Sequence, residues 1–222
     1  MTRVAEIVGR FAGATNTTLL GRTADGGLVV YKPVAGARPL WDFDAATLAA
    51  REVLAHRLAG ALGFDGLVPE TEAGDGPLGP GAVQRYVDAD PGYDPLPALR
   101  TGDPALWPVA LLDLVANNAD RKAGHLLAEG GALRAIDHGL TFHPRPKLRT
   151  VLWAFAGRAL PPGMVEALGR LGGALGPLLQ EVEAALGPAE AAALQQRVAD
   201  LAAHPVHPEP PDDRPPIPWP PF

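Results

Sequence analysis

Two carboxylates bracket one short hairpin in this chain. Asp120 lies in Asn117-Asn118-Ala119-Asp120-Arg121-Lys122-Ala123-Gly124-His125, and Asp137 opens Asp137-His138-Gly139, twelve residues beyond His125. Between them, His125 to Ile136 contains two short apolar-rich runs joined by Gly130-Gly131, a pair whose freedom at positive φ suits a tight turn. Asp120 and Asp137 therefore stand just outside the two open ends of one ribbon. Asp137 follows the apolar Ala135-Ile136, a costly place for a carboxylate with no partner. A magnesium ion would compensate both carboxylates and a bound triphosphate together.

A cation that could reach the same phosphates stands earlier in the chain. Lys32 ends Val29-Val30-Tyr31-Lys32-Pro33 and is one of three lysines, with Lys122 and Lys147, among 19 basic residues, so the ammonium itself is wanted there. Glu52, twenty residues on, interrupts the apolar stripe of a helix, where a lone carboxylate needs a buried partner. Lys32 can be that partner. Gly13, Ala14, Thr15 and Asn16 lie between the first two strands and offer backbone N–H groups, small residues and hydroxyls to a phosphate. No Gly-Lys-Ser/Thr is present, so this is not a Walker A loop. Each feature alone has a plain alternative: a strand-end lysine in solvent, a helix-edge charge, an ordinary hairpin turn, an aspartate capping a loop. Their recurrence in order along one chain favours the phosphate site.

The elements that must carry these groups can be read from the hydrophobic pattern. Val4 to Phe11, Thr18 to Arg22 and Leu28 to Lys32 predict a three-stranded antiparallel start. A helix is predicted from the N-cap Asp44 to Gly63, with Leu48, Ala55, Ala59 and Leu62 on one stripe. Leu67 to Thr71 and Gly81 to Val87 read as further strands, and Asp88 to Pro97 as the connector between two lobes, residues 1–88 and 89–203. Pro104 to Val115 predicts a helix running into the Asp120 segment. Pro161 to Leu175, Pro177 to Leu186 and Pro188 to Ala203 predict three helices, each opening at a proline. The proline-rich residues 204–222 predict an extended tail anchored by Ile217, Trp219 and Phe222, dispensable for the fold and open to a protein partner. The expected fold is α+β and two-lobed, with an antiparallel β-rich first lobe bearing one helix and a small, mainly helical second lobe.

Composition removes several classes of function. There is no cysteine among the 222 residues, which excludes disulfides, thiolate metal sites and a cysteine nucleophile and suits a cytoplasmic location. No apolar run approaches the ~20 residues that span a bilayer, and Met1-Thr-Arg-Val-Ala-Glu lacks the apolar core of a signal peptide. A net charge of −6 argues against nucleic acid or an anionic membrane as partner.

The order Lys32, Glu52, the strand Gly81 to Val87, Asp120-Arg121 and Asp137-His138-Gly139 resembles the phosphatidylinositol 3-/4-kinase and HipA-like branches of the protein-kinase-like superfamily. More narrowly, it resembles a small actinobacterial family distantly similar to the phosphatidylinositol kinases. The resemblance covers roughly Val4 to Arg149. It implies ATP between the lobes, Lys32 on the phosphates with Glu52 orienting it, and the Gly13–Asn16 turn over them. It implies an adenine-facing hinge at Gln84 to Val87, Tyr86 included, and Asp120 and Arg121 in the catalytic loop, with Asp120 as base or acceptor-orienting group. Asp137 would then hold magnesium or manganese. His125 departs from those families, which usually carry Asn there as second metal ligand. Imidazole suits magnesium poorly, so one ion suffices, manganese is used, or Asn117 or Asn118 moves in.

The expected activity is ATP- and metal-dependent phosphoryl transfer to an unidentified hydroxyl. Alternatives are a nucleotide-binding pseudokinase that acts through a partner, and an AMP-transferring enzyme on the same fold. A metal-hydrolase centre at His125, Asp137, His138 and His143 would leave Lys32 and Glu52 unexplained. His56, His204 and His207 are expected in solvent, Trp153 and Phe155 in the core, and Trp41 as a loop anchor.

Overall fold

A computed structural model describes residues 1–222. The β-like opening forms β1 (Thr2–Arg10), β2 (Leu19–Thr23) and β3 (Leu28–Pro33), paired antiparallel in that order as expected. β4 (Thr71–Gly76) and β5 (Gly79–Arg85) form a hairpin whose second strand adds antiparallel to β3. The lobe is antiparallel-rich as expected, with one addition the sequence does not show: β1 pairs parallel with β4 through Thr2 and Gly74 and closes the sheet in the order β1-β2-β3-β5-β4. Gly74 permits the closure, since a Cβ there would lie 2.7 Å from the Thr2 carbonyl oxygen. Closure leaves no free edge on this sheet, and its interior is small: Val4, Leu19, Tyr31 and Val83.

The strand expected at Leu67 to Thr71 begins only at Thr71. Gly63 and Gly66, both at φ 77°, turn the chain sharply, and Leu67 and Val68 are buried in the helical core instead. The Leu67 carbonyl accepts from Ala135 N at 2.7 Å, which ties this turn to the ribbon described below.

The helix predicted after Asp44 is present as α1 (Leu48–Ala61), entered through a short 3-10 turn whose first N–H groups the Asp44 carboxylate caps at Ala46 N, 3.0 Å. Leu54, Ala55, Leu58, Ala59 and Leu62 bury into a core of 31 residues shared with the helices that follow. These are α2 (Leu96–Thr101) and α3 (Trp107–Ala116), then, after the ribbon β6 (Leu126–Glu129) and β7 (Ala132–Ala135), α4 (Pro162–Leu186) and α5 (Pro188–Ala203). α3 is entered by a 3-10 turn, Pro104–Leu106, and stops where Asn117 adopts φ 54°.

Two of the three expected helices are one: α4 runs through Pro177 without a break. Proline removes one helical hydrogen bond, but Gly173 and Pro177 are both exposed, so the carbonyl left over can be hydrated. The tail is extended as expected, yet it is docked on its own chain. Val206 bridges Ala159, the Pro205 carbonyl accepts from Leu160 N at 2.7 Å, and the Pro216 carbonyl accepts from Thr150 N at 3.0 Å and Trp153 Nε1 at 2.9 Å. His207, expected in solvent, is buried against the rings of Trp153, Trp107 and Phe155. The reason is that proline carbonyls supply acceptors to N–H groups that the irregular segments around Thr150 and Leu160 leave unpaired. No helix is long and apolar enough to cross a membrane.

Candidate active site

Four separate stretches of chain converge between the sheet and the helices. The lysine at the end of β3, the glutamate on α1, and the two ends of the β6-β7 ribbon meet at one cavity of about 220 Å³, roofed by Gly13, Ala14, Thr15 and Asn16. Lys32 Nζ is sandwiched between Glu52 Oε1 and Asp137 Oδ1, the latter at 2.9 Å. The second oxygen of Glu52 accepts from His138 N at 3.0 Å, so one carboxylate fixes both the strand-end amine and the backbone after Asp137. Asp137 itself sits at φ 61°, a left-handed backbone that short polar side chains tolerate best. That conformation turns its carboxylate, half exposed, into the cavity.

The charges are set by these contacts. Burial lowers the affinity of the Lys32 amine for its proton, but Asp137 and Glu52 together outweigh it and hold the amine above its ordinary value. The Lys32 ammonium keeps Asp137 ionised far below the usual carboxylate range. Glu52, almost fully buried, is pushed up by desolvation against the pull of Lys32. Asp120 is also raised, chiefly by burial, while Lys122 Nζ at 3.5 Å draws it down. His125 Nε2 lies 3.3 Å from Asp137 Oδ2, yet burial lowers the imidazole to about 4, so it is neutral near pH 7.

A second cavity of about 400 Å³ adjoins the first, sharing Gly13, Ala14, Lys32, His125 and Asp137. Gln84, Tyr86 and Val87 line it together with Val30, Leu127 and Ile136. The side-chain amide of Gln84 is spent on Thr71 Oγ1 at 2.8 Å, so this wall offers backbone groups and apolar surface.

Arg121, expected in the catalytic loop beside Asp120, does not reach the cavity. It is fully buried, with Nε 2.9 Å from Asp113 Oδ2, Nη2 2.9 Å from Asp113 Oδ1, and Nη1 donating to the Ile136 carbonyl at 2.9 Å. Nη2 also donates to His138 Nε2 at 2.7 Å, which places the ring proton on a buried Nδ1 without a partner. A guanidinium so enclosed can only position its neighbours: it locks the Asp120 loop to α3 and to the residue before Asp137. Asp113 was not foreseen, although a lone carboxylate inside Val109-Ala-Leu-Leu-Asp-Leu-Val-Ala116 carries the same signal as Glu52.

Asn117 and Asn118 are committed elsewhere and do not approach Asp137. Asn117 Nδ2 donates to the His143 and Arg145 carbonyls, each at 2.8 Å, while Asn118 donates to Asp113 at 2.8 Å and accepts from Asp120 N at 3.0 Å. His143 packs edge-on against Phe43, and no three His, Asp or Glu side chains form a cation cage, which leaves the hydrolase centre without its ligands. A divalent ion at Asp137 would instead find one ionised carboxylate, with most of its oxygen ligands left to phosphates and water. That donor set suits magnesium. Trp41 is 84% exposed and carries Lys147 Nζ 4.4 Å over its ring, while Phe155 is core as expected.

The fold is kinase-like. The structure is similar to that of the Helicobacter pylori proinflammatory kinase CtkA, with a TM-score of 0.59 at 12% identity over 93% of each chain. It is also similar to the Golgi casein kinase, with a TM-score of 0.57 at 14% identity over 92% of this chain and 71% of the other. The same kinase with Mn/ADP bound matches at 15% identity and TM-score 0.57, over 92% and 73%. In sequence, the chain belongs to the family of Protein Rv2133c of Mycobacterium tuberculosis, to which it is 39% identical over 258 aligned positions, covering 97% of this chain and 91% of the relative. No family model matches the chain.

Proposed function

We propose that this chain is an ATP- and divalent-metal-dependent phosphotransferase that acts on a hydroxyl acceptor, on the branch of the kinase fold resembling the phosphatidylinositol 3-/4-kinases and HipA. The observation that carries the proposal is the meeting of Lys32, Glu52, Asp120 and Asp137 with the Gly13–Asn16 turn at a single cavity. The adjoining apolar cavity, with the backbone of Gln84 to Val87 on its wall, has the character an adenine ring requires. Lys32 holds the α and β phosphates and Glu52 orients it. Asp137 would hold the divalent ion, which when bound neutralises charge on bridging phosphate oxygens. The Mn/ADP bound in one structural neighbour supports both ligands. Asp120, at the mouth of the same cavity, orients the acceptor hydroxyl and takes its proton, and its raised proton affinity suits that step. Arg121 is a positioning residue.

ATP labelled at the γ or α phosphorus tests this. The purified chain with Mg or Mn should move the γ label to an acceptor or to water, and Asp120→Asn should lower that turnover by roughly 10²–10⁴-fold while leaving nucleotide affinity within about twofold. Movement of the α label would instead show AMP transfer. Tight binding with no movement of either label would show a nucleotide sensor, the reading that the contact of His125 with Asp137 favours.

A further inference from the structure

The last residues of the chain are part of the wall of the candidate cleft. Beyond His207 the tail crosses the helical lobe on carbonyl anchors, and the Pro221 carbonyl accepts from Ala123 N at 2.8 Å, two residues before His125. This contact delivers Phe222 beside Gly124, where it lines both cavities, at their junction. Phe222 shares the lining of both cavities with Gly13 and Ala14, the turn that follows β1.

Three features distinguish this placement from an incidental contact. Nine of the nineteen residues 204–222 are proline, so φ is fixed at nearly half of the strap and less entropy is lost in ordering it. The anchors satisfy backbone N–H groups of the catalytic segment and of the loop after it, at Ala123 and Thr150, so the strap completes hydrogen bonding that the lobe itself leaves open. Finally, Phe222 lines both cavities and is 67% exposed, so the chain itself covers little of its surface.

We propose that Phe222, held by the Pro216 and Pro221 carbonyl anchors, is a nucleotide-contacting residue that packs on the nucleoside where the apolar and the phosphate cavities meet. This rests on the nucleotide reading above. An aromatic face at that junction adds apolar contact to the base and ribose and none to the phosphates, so ATP and ADP should depend on it equally.

Calorimetric titration of the full chain with ATP and with ADP, each with Mg, tests the proposal. Phe222→Ala should weaken both about tenfold, Phe222→Tyr should restore affinity to within about twofold, and Trp153→Phe, which removes one donor to the Pro216 carbonyl, should show a smaller loss in the same direction. The exposed position of Phe222 predicts an unchanged melting temperature for the alanine variant. Undiminished or tighter binding by Phe222→Ala, with wild-type binding intact, overturns this inference alone. Failure of the wild-type chain to bind either nucleotide overturns the nucleotide reading and this inference with it.

Discussion

The barrel and the helical lobe solve the same problem with very different means. The barrel closes five strands around four buried side chains, and its order comes from continuous backbone pairing with no open edge. The helical lobe buries 31 residues in one cluster, and that cluster extends into α1, the helix that carries Glu52. Groups held by the large core are therefore fixed by packing: Asp120 and Asp137 through Arg121 and Asp113, and Glu52 through α1. Lys32 stands on the thinly packed side, and its place is set by the carboxylates it faces. The difference teaches that the helical side of the cleft is held by packing, while Lys32 on the barrel side is held by charge.

Three measurements bear on that contrast. The largest effect belongs to the helical side. Arg121→Ala would leave Asp113, 1% exposed, without its cation, at a cost of about 3–5 kcal/mol, and chemical denaturation followed by circular dichroism should show the loss. A change below about 1 kcal/mol would remove the Asp113–Arg121 pair from the frame. Next come matched core truncations. Leu111→Ala, in the large cluster, should cost about 4 kcal/mol, and Leu19→Ala, in the barrel, about 2 kcal/mol, since a small core on a curved sheet collapses more readily around the gap. Equal costs would break the comparison.

The smallest effect concerns the strap. Burial holds His207 below the ordinary imidazole value, so the folded chain binds its proton less readily than the unfolded chain. Its contribution to stability is therefore present above about pH 6.5 and declines as pH falls below that value. Melting temperature followed from pH 7.5 to 5 should fall more steeply for the wild type than for His207→Phe, and parallel curves would show that the strap is insensitive to this group.

Much of the site was legible because charge in apolar sequence is expensive. Lys32 at a strand end and Glu52 within a helix stripe are expected as a pair and form one, while Asp137, for which the sequence suggests a metal ion as partner, also meets Lys32. The same logic applied to Asp113 would have moved Arg121 from the catalytic loop to the frame. The parallel pairing of Thr2 with Gly74 joins residues far apart in sequence, and no local periodicity encodes it. Pro177 looked like a helix boundary because its cost inside a helix depends on whether water can reach the freed carbonyl, which only the fold decides. The strap was hidden for a related reason: a run of prolines has no donors of its own, so its docking depends on which N–H groups other segments leave unpaired.

The left-handed backbone at position 137 narrows what can replace Asp there. Asparagine and glycine adopt that conformation at little cost, whereas alanine, valine or glutamate would strain the turn that also seats His138 against Glu52. A chain that lost its chemistry but kept its shape would therefore be expected to carry Asn at this site. Asp137→Asn is accordingly the substitution that separates the charge of this residue from its architecture.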